Sequence, residues 1–422
     1  MRVRIHRGAR EIGGSCIEVE HDRFRLILDL GRPLQSALDD GTGLPLLREL
    51  AWPHVSAGTG WFSGVVVSHG HADHWGLVPL IDKEIPIICG EGTARTLRAA
   101  SFFTPDESVD FRPRWLLNDR EPIEVGPFRL TPYLMDHSTF DAYMVLVEAG
   151  GRRLLYSGDV RAHGRKGKLF ERFVASPPAD VDAMLLEGTH VRDTGQAATP
   201  GMASEFDVEN SCVELFRATP GIVLACYSPL NVDRLVSLYK AARRSGRIFV
   251  MDLYAATVMR ATRRDTLPQA EWDGVRVFVP QSQRARVKRQ RAFELTNAIR
   301  RQRIYPEDLR ARPEKLVMTC RASMLGDLRS ARCLERAAGV WSLWPGYLEE
   351  PAGAEFEAQL AADGIGLHRI HASGHATVAD LQRLAEAVRP KALVPIHTQA
   401  PQRFPDFFAN VERHNDGEWW DV

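Results

Sequence analysis

The run His69-Gly70-His71-Ala72-Asp73-His74 directly follows the apolar stretch Val65-Val66-Val67-Ser68, and this adjacency constrains the fold more than any other feature of the chain. A short apolar run of this kind reads as a buried strand. A strand that feeds a tight loop splays alternate residues, so His69 and His71 point one way while Asp73 and His74, past the bend, face another. Imidazoles and a carboxylate are donors that Zn²⁺ accepts. The spacing therefore points to two neighbouring ions, an arrangement that generates a hydroxide and aims it at a phosphorus or carbonyl centre.

Four ligands do not close two sites, so further His and carboxylate residues are expected at strand ends downstream. His137 follows the apolar segment Phe128 to Leu134, Asp159 closes Leu154-Leu155-Tyr156-Ser157-Gly158-Asp159, and His397 ends Ala392-Leu393-Val394-Pro395-Ile396-His397. A solitary His or Asp at a strand end is usually a turn or surface residue; it is the repeated placement that selects the metal reading.

With these residues in place, the chain resembles the metallo-β-lactamase fold and, within it, the β-CASP nucleases, most closely the ribonuclease J family. The pattern comprises Asp29 after a strand, the HGHADH run, His137 and Ser157-Gly158-Asp159, joined by Glu187 in Leu186-Glu187-Gly188-Thr189-His190, by His375 in His371-Ala372-Ser373-Gly374-His375, and by His397. Gly8-Ala9-Arg10-Glu11-Ile12-Gly13-Gly14, Asn231-Val232-Asp233-Arg234-Leu235 and Ser323-Met324-Leu325 extend the likeness along nearly the whole chain. There are departures. Thr398-Gln399 stand where the family has an acidic position, and the sequence runs only twenty-five residues past His397, which reads as a catalytic core without the family's C-terminal domain. That domain supports self-association, so a homodimer is left open.

The resemblance implies an α/β fold: a metallo-β-lactamase αββα sandwich with an inserted α/β β-CASP domain. The expected boundaries are 1–194 and 346–422 for the sandwich and 195–345 for the insert. Strands are expected at Cys16 to Glu20, Arg23 to Asp29, Val65 to Ser68, Ile222 to Tyr227, Ile248 to Asp252 and Leu316 to Cys320. A helix is expected from about Trp75, another over Val232 to Arg244, and an amphipathic one over Thr377 to Arg389. Trp341 and Trp344 read as core residues alternating on a strand.

In the implied site, one ion takes His69, His71, His137 and Asp159, and the other takes Asp73, His74, His397 and the shared Asp159. The expected cofactors are two Zn²⁺, with Mn²⁺ also admitted by this donor set. Asp73, Glu187 and His375 are the expected catalytic residues, with His375 held by Glu187 to protonate the leaving 3′ oxygen. Asp29 orients a ligand imidazole. His371 and Ser373 resemble the family's pocket for a substrate phosphate, whereas His163 and His190 have no assigned role.

The implied reaction is hydrolysis of RNA phosphodiesters by a two-metal-activated hydroxide, as exonuclease, endonuclease or both, on single-stranded RNA. His397 at the last motif favours RNA over DNA within the family. Two other readings are a thioester or lactone hydrolase of the same fold, which would lack the inserted domain and the Glu187 and His375 pair, and a scaffold that has lost catalysis, which does not suit a chain with every ligand position filled.

Composition narrows the setting. The net charge is zero, unlike a generic nucleic-acid binder. A basic segment nonetheless runs from Arg284 to Lys315, and it reads equally as a phosphate-contacting wall or as a solvated helix face. Six scattered cysteines suggest reduced thiols, and no segment has the apolar core of a secretory signal or the length of a membrane span. A cytoplasmic protein with no membrane partner is expected.

Overall fold

The described residues of the computed structural model are 1–34, 46, 49–50, 61–104, 110–193 and 203–422. The chain divides into two compact units, Met1–Thr199 with Gly374–Val422 and Pro200–Ser373.

The first unit holds two sheets. One contains β1 (Arg2–Arg7), β2 (Cys16–His21), β3 (Phe24–Leu30), β4 (Trp61–Val67), β5 (Ile87–Gly90) and β6 (Trp115–Leu117). The second contains β7 (Ile123–Val125), β8 (Phe128–Leu134), β9 (Tyr143–Ala149), β10 (Arg152–Tyr156) and β11 (Ala183–Glu187).

The second unit is built on one seven-stranded sheet: β12 (Val223–Cys226), β13 (Ile248–Asp252), β14 (Val275–Phe278), β15 (Arg303–Ile304), β16 (Leu316–Thr319), β17 (Ala338–Trp341) and β18 (Gly366–Arg369). All its pairings are parallel, with order β15-β14-β13-β16-β12-β17-β18. The chain then adds β19 (Ala392–Ile396) beside β11 and β20 (Trp419–Asp421) beside β1.

Period-two alternation explains how the second sheet of the first unit is sandwiched. Leu154, Tyr156, Leu185, Val394 and Ile396 face a core shared with Val3, Ile17, Leu26, Leu28 and Val66 of the first sheet. Their neighbours Leu155, Met184, Leu186 and Leu393 face the opposite way, onto Phe170, Phe173, Leu381, Leu384 and Val388 of two helices. Each such side chain contributes about 1.5–3 kcal/mol of burial. The helix Val378–Val388 has the expected amphipathic spacing and is capped by Thr377, whose hydroxyl accepts from the Asp380 amide.

Three expectations shift. No long helix starts at Trp75: a single turn, Ala72–Trp75, is followed by the 3₁₀ turn Val78–Leu80, because Gly76 and Pro79 prevent propagation. Trp341 is buried on β17, but Trp344 lies past the strand end and is 56% exposed. The second unit runs on to Ser373 rather than returning at 345, since β17 is followed by the helix Pro351–Ala362 and by β18, which extends the same sheet. The expected boundary at 194–195 falls outside the described residues.

One buried cluster ties β1 to β3. The Glu18 carboxylate accepts from Arg4 at 2.8 Å and from the Arg25 guanidinium, and pairs with His6 at 2.6 Å. Burial raises its pKa, but His6, Arg25 and Arg4 outweigh this and hold it at about 2. A carboxylate depressed in the folded state adds stability that is complete above its unfolded value and is lost as pH falls through the folded one. Glu18→Gln should therefore destabilise the protein by about 3 kcal/mol at neutral pH. The gap between variant and wild type in urea midpoint should close between pH 4.5 and about 2. A gap independent of pH would show that the ion pairs do not carry it.

Candidate metal centre

Strand direction assembles the site. β8 is antiparallel to β9, β9 to β10, and β10, β11 and β19 are mutually parallel neighbours, so β8, β10, β11 and β19 all end on one edge. His137 and Asp159 lie just past the ends of β8 and β10, Glu187 closes β11, and His397 directly follows β19. The HGHADH loop leaves β4 for the same place, pinned by a bond from the Tyr143 amide to the Ser68 carbonyl. Its far end docks against the end of β3, where the Ser15 amide donates to the Asp73 carbonyl at 3.0 Å. Gly31 makes this approach possible, for a Cβ there would stand 1.7 Å from that carbonyl oxygen.

Two groups of donor atoms converge. In the first, His71 Nδ1 lies 3.1 Å from His69 Nε2 and 3.0 Å from His137 Nε2, and Asp159 Oδ2 lies 3.6 Å from His69 Nε2. In the second, Asp73 Oδ2 stands 3.3 Å from His397 Nε2 and 3.8 Å from His74 Nε2, and that same His74 nitrogen is 3.3 Å from Asp159 Oδ2. Asp159 faces both groups. Its two oxygens and His74 Nε2 are buried with no hydrogen bond of good geometry, a concentration of unsatisfied atoms that an ion between them would explain. The donor set and these orphaned atoms fit a dinuclear metal site.

Asp29 sits behind His74. Its Oδ2 pairs with His74 Nδ1 at 2.6 Å and accepts from the Ser68 hydroxyl at 2.7 Å and the Tyr156 hydroxyl at 2.5 Å, while Oδ1 accepts from the Ser68 amide. This turns His74 Nε2 outward, as in carboxylate–histidine–metal arrangements. Burial would lower the pKa of His74, but Asp159, Asp29 and Asp73 raise it well above the ordinary imidazole range. His69 and His137 behave oppositely: burial holds both far below that range, and His71 falls to about 4. Three neutral imidazoles are what a cation needs as ligands.

Glu187 and His375 form the expected pair, with Glu187 Oε2 3.0 Å from His375 Nδ1. Burial pushes His375 down, but Glu187 and Asp159 carry it to about 9. Thr189, which the sequence reading passed over, joins this pair to the ligand set. Its hydroxyl donates to Glu187 Oε2 at 2.9 Å and stands 3.2 Å from His375 Nδ1 and 3.0 Å from His397 Nδ1. The only signal for it was its place two residues after Glu187. His190 is buried, with Nδ1 2.9 Å from the Ala376 carbonyl.

His371 and Ser373 belong to the second unit. There His371 Nδ1 lies 3.2 Å from the buried Arg234 guanidinium, which also bonds Glu205, Ser342 and the Ala372 carbonyl. In the basic segment, Arg284, Lys288 and Arg289 are exposed on the helix Gln281–Gln290.

Residues 42–224 match the model of the beta-lactamase superfamily domain. Ribonuclease J of Mycobacterium tuberculosis is 25% identical over 413 residues, covering 94% of this chain and 68% of the relative. Ribonuclease J of Mycoplasma genitalium is 21% identical, covering 92% of this chain and 66% of the relative. The chain is ribonuclease J-like, with a metallo-β-lactamase fold. An RNase J-like protein of Methanocaldococcus jannaschii matches this ribonuclease J-like chain at 25% identity over 203 residues, 44% of this chain and 42% of the relative. The fold of the ribonuclease J-like chain recurs in a protein of unknown function from Enterococcus faecalis V583, with a TM-score of 0.79, 22% identity and 99% coverage of both chains.

Proposed function

We propose that the chain is a metal-dependent ribonuclease that hydrolyses phosphodiester bonds of single-stranded RNA. His69, His71, His137 and Asp159 would hold one cation, and Asp73, His74, His397 and the shared Asp159 the other. Zn²⁺ suits this donor set best and Mn²⁺ next. The observation that carries the reading is Asp159, whose two buried, unbonded oxygens face both groups of donors. When bound, two such cations supply an activated water and offset the charge that builds on phosphorus.

The chain's own residues do the rest. Asp29 fixes the ring of His74 through Nδ1. Glu187 holds His375 in its protonated form, poised to give a proton to the leaving 3′ oxygen. His371, whose Nδ1 is held 3.2 Å from the Arg234 guanidinium, and Ser373 form the phosphate pocket of this reading. All six cysteines are buried free thiols, which supports a reducing compartment, and among the described residues no helix is long and apolar enough to cross a membrane.

The test is incubation of metal-loaded protein with a single-stranded RNA and its DNA counterpart, each with a 5′ monophosphate and a 3′ label. Cleavage of RNA in preference to DNA is expected, and the product ladder reports exonucleolytic or endonucleolytic action. Inertness toward both polymers would overturn the assignment.

A further inference from the structure

A cavity of about 610 Å³ opens in the first unit, walled by Arg10, Gln399, Gln402, Arg413, His414 and Asn415. Two of its walls are the segments that hold His397. Gly8 accepts from the His397 amide at 2.7 Å and Gly13 donates to His397 Nε2 at 3.0 Å, so Arg10 lies within the strap that grips this imidazole. Gln399 lies two residues beyond His397 on the other segment.

The lining has a definite chemistry. It offers two exposed guanidiniums, an imidazole and three carboxamides, with no carboxylate among its residues. Arg10 donates to Asn415 Oδ1 at 2.7 Å, which steadies it without neutralising it. Arg413 has no ion-pair partner among the described residues. Acids lie against part of the lining: Asp193 accepts from Gln402, Glu418 from Asn415, and Glu412 stands 3.9 Å from His414, so the two guanidiniums and Gln399 are the polar lining groups with no carboxylate bound to them among the described residues. His414 lies flat on Trp420 with ring centroids 4.4 Å apart, and its Nε2 is buried without a hydrogen-bond partner.

Guanidiniums recognise phosphate oxygens by paired, charge-assisted hydrogen bonds. Carboxamides present a donor and an acceptor side by side, matching the edges of nucleobases. Small-molecule sites span about 300–1,000 Å³, which a lone phosphate would leave mostly unfilled. We propose that this cavity binds a nucleotide of the substrate strand on the His397 side of the metal centre. The proposal rests on the ribonuclease reading, and its test separates the two.

Steady-state cleavage of single-stranded RNA should show KM raised about tenfold or more in the Arg10→Ala/Arg413→Ala variant, with kcat retained. Gln399→Ala should raise KM more weakly. Hydrolysis of bis-p-nitrophenyl phosphate, too small to span centre and cavity, should be unchanged. The slope of log affinity against log salt should fall by about 0.7 for each phosphate that the variant no longer neutralises. Unchanged KM in the double variant would overturn the proposal. Calorimetric titration with AMP is the second arm: heat seen with wild type should vanish in the double variant, and equal heat in both would also overturn it. If wild type cleaves no RNA, the ribonuclease reading fails while the AMP arm still decides whether the cavity takes nucleotides.

Discussion

His74→Ala protein should retain its fold, bind one metal equivalent fewer, and lose RNA cleavage by at least about a thousandfold. His74 is the residue on which the second group of donors turns: its Nε2 has no hydrogen bond and stands 3.3 Å from Asp159 Oδ2. Removing the ring leaves Asp73, His397 and the shared Asp159, a set that has lost the imidazole Asp29 orients and so holds the second cation much more weakly. The fold survives because Asp29, left behind, still accepts from Tyr156 and from Ser68 twice. Metal content by emission spectroscopy, circular dichroism and the RNA assay together check the outcome. Asp73→Ala should behave alike, since the backbone carbonyl that docks the loop remains. Full activity in either variant would sink the two-metal assignment.

The second large effect concerns His375. His375→Ala should keep both metal equivalents yet lose about 10²–10⁴ in turnover, the usual worth of a general acid. Its pairing with the Glu187 carboxylate favours the protonated imidazole, ready to donate. Glu187→Gln should weaken that proton's hold and cost less. The same ring also lies within reach of Asp159, Glu187 and His397 as a group of donors, so metal loss in His375→Ala would move it from acid to ligand. A substrate with a good leaving group separates the roles, because it needs no acid and should be cleaved by His375→Ala at close to the wild-type rate.

The fold class and ribonuclease J likeness were legible because strands on a buried sheet write themselves as short apolar runs, and here several such runs end in His or Asp. Leu154 to Tyr156 and Ala392 to Ile396 are continuous apolar stretches because both faces of their sheet are covered. Other features left no trace in pattern. β18, Gly366–Arg369, is largely exposed and reads as loop, so the reach of the second unit to Ser373 was hidden. Tyr156 looked like one more core aromatic, and only the packing of its sheet face onto the sheet that holds β3 turns its hydroxyl onto Asp29. Thr189 gave still less, since a hydroxyl's reach to three polar partners depends on the meeting of β11, β19 and the segment carrying His375.

The network around Asp29 has a bearing on how such a protein is switched on. Four protein groups already satisfy that carboxylate, and the surrounding sheets bury their apolar faces without help from an ion. Small zinc domains, by contrast, have no fold until the ion arrives. Here ion loading becomes a late event on a finished scaffold. A chelator should produce a dormant but intact protein, and returning the ion should restart it within a mixing time rather than a refolding time.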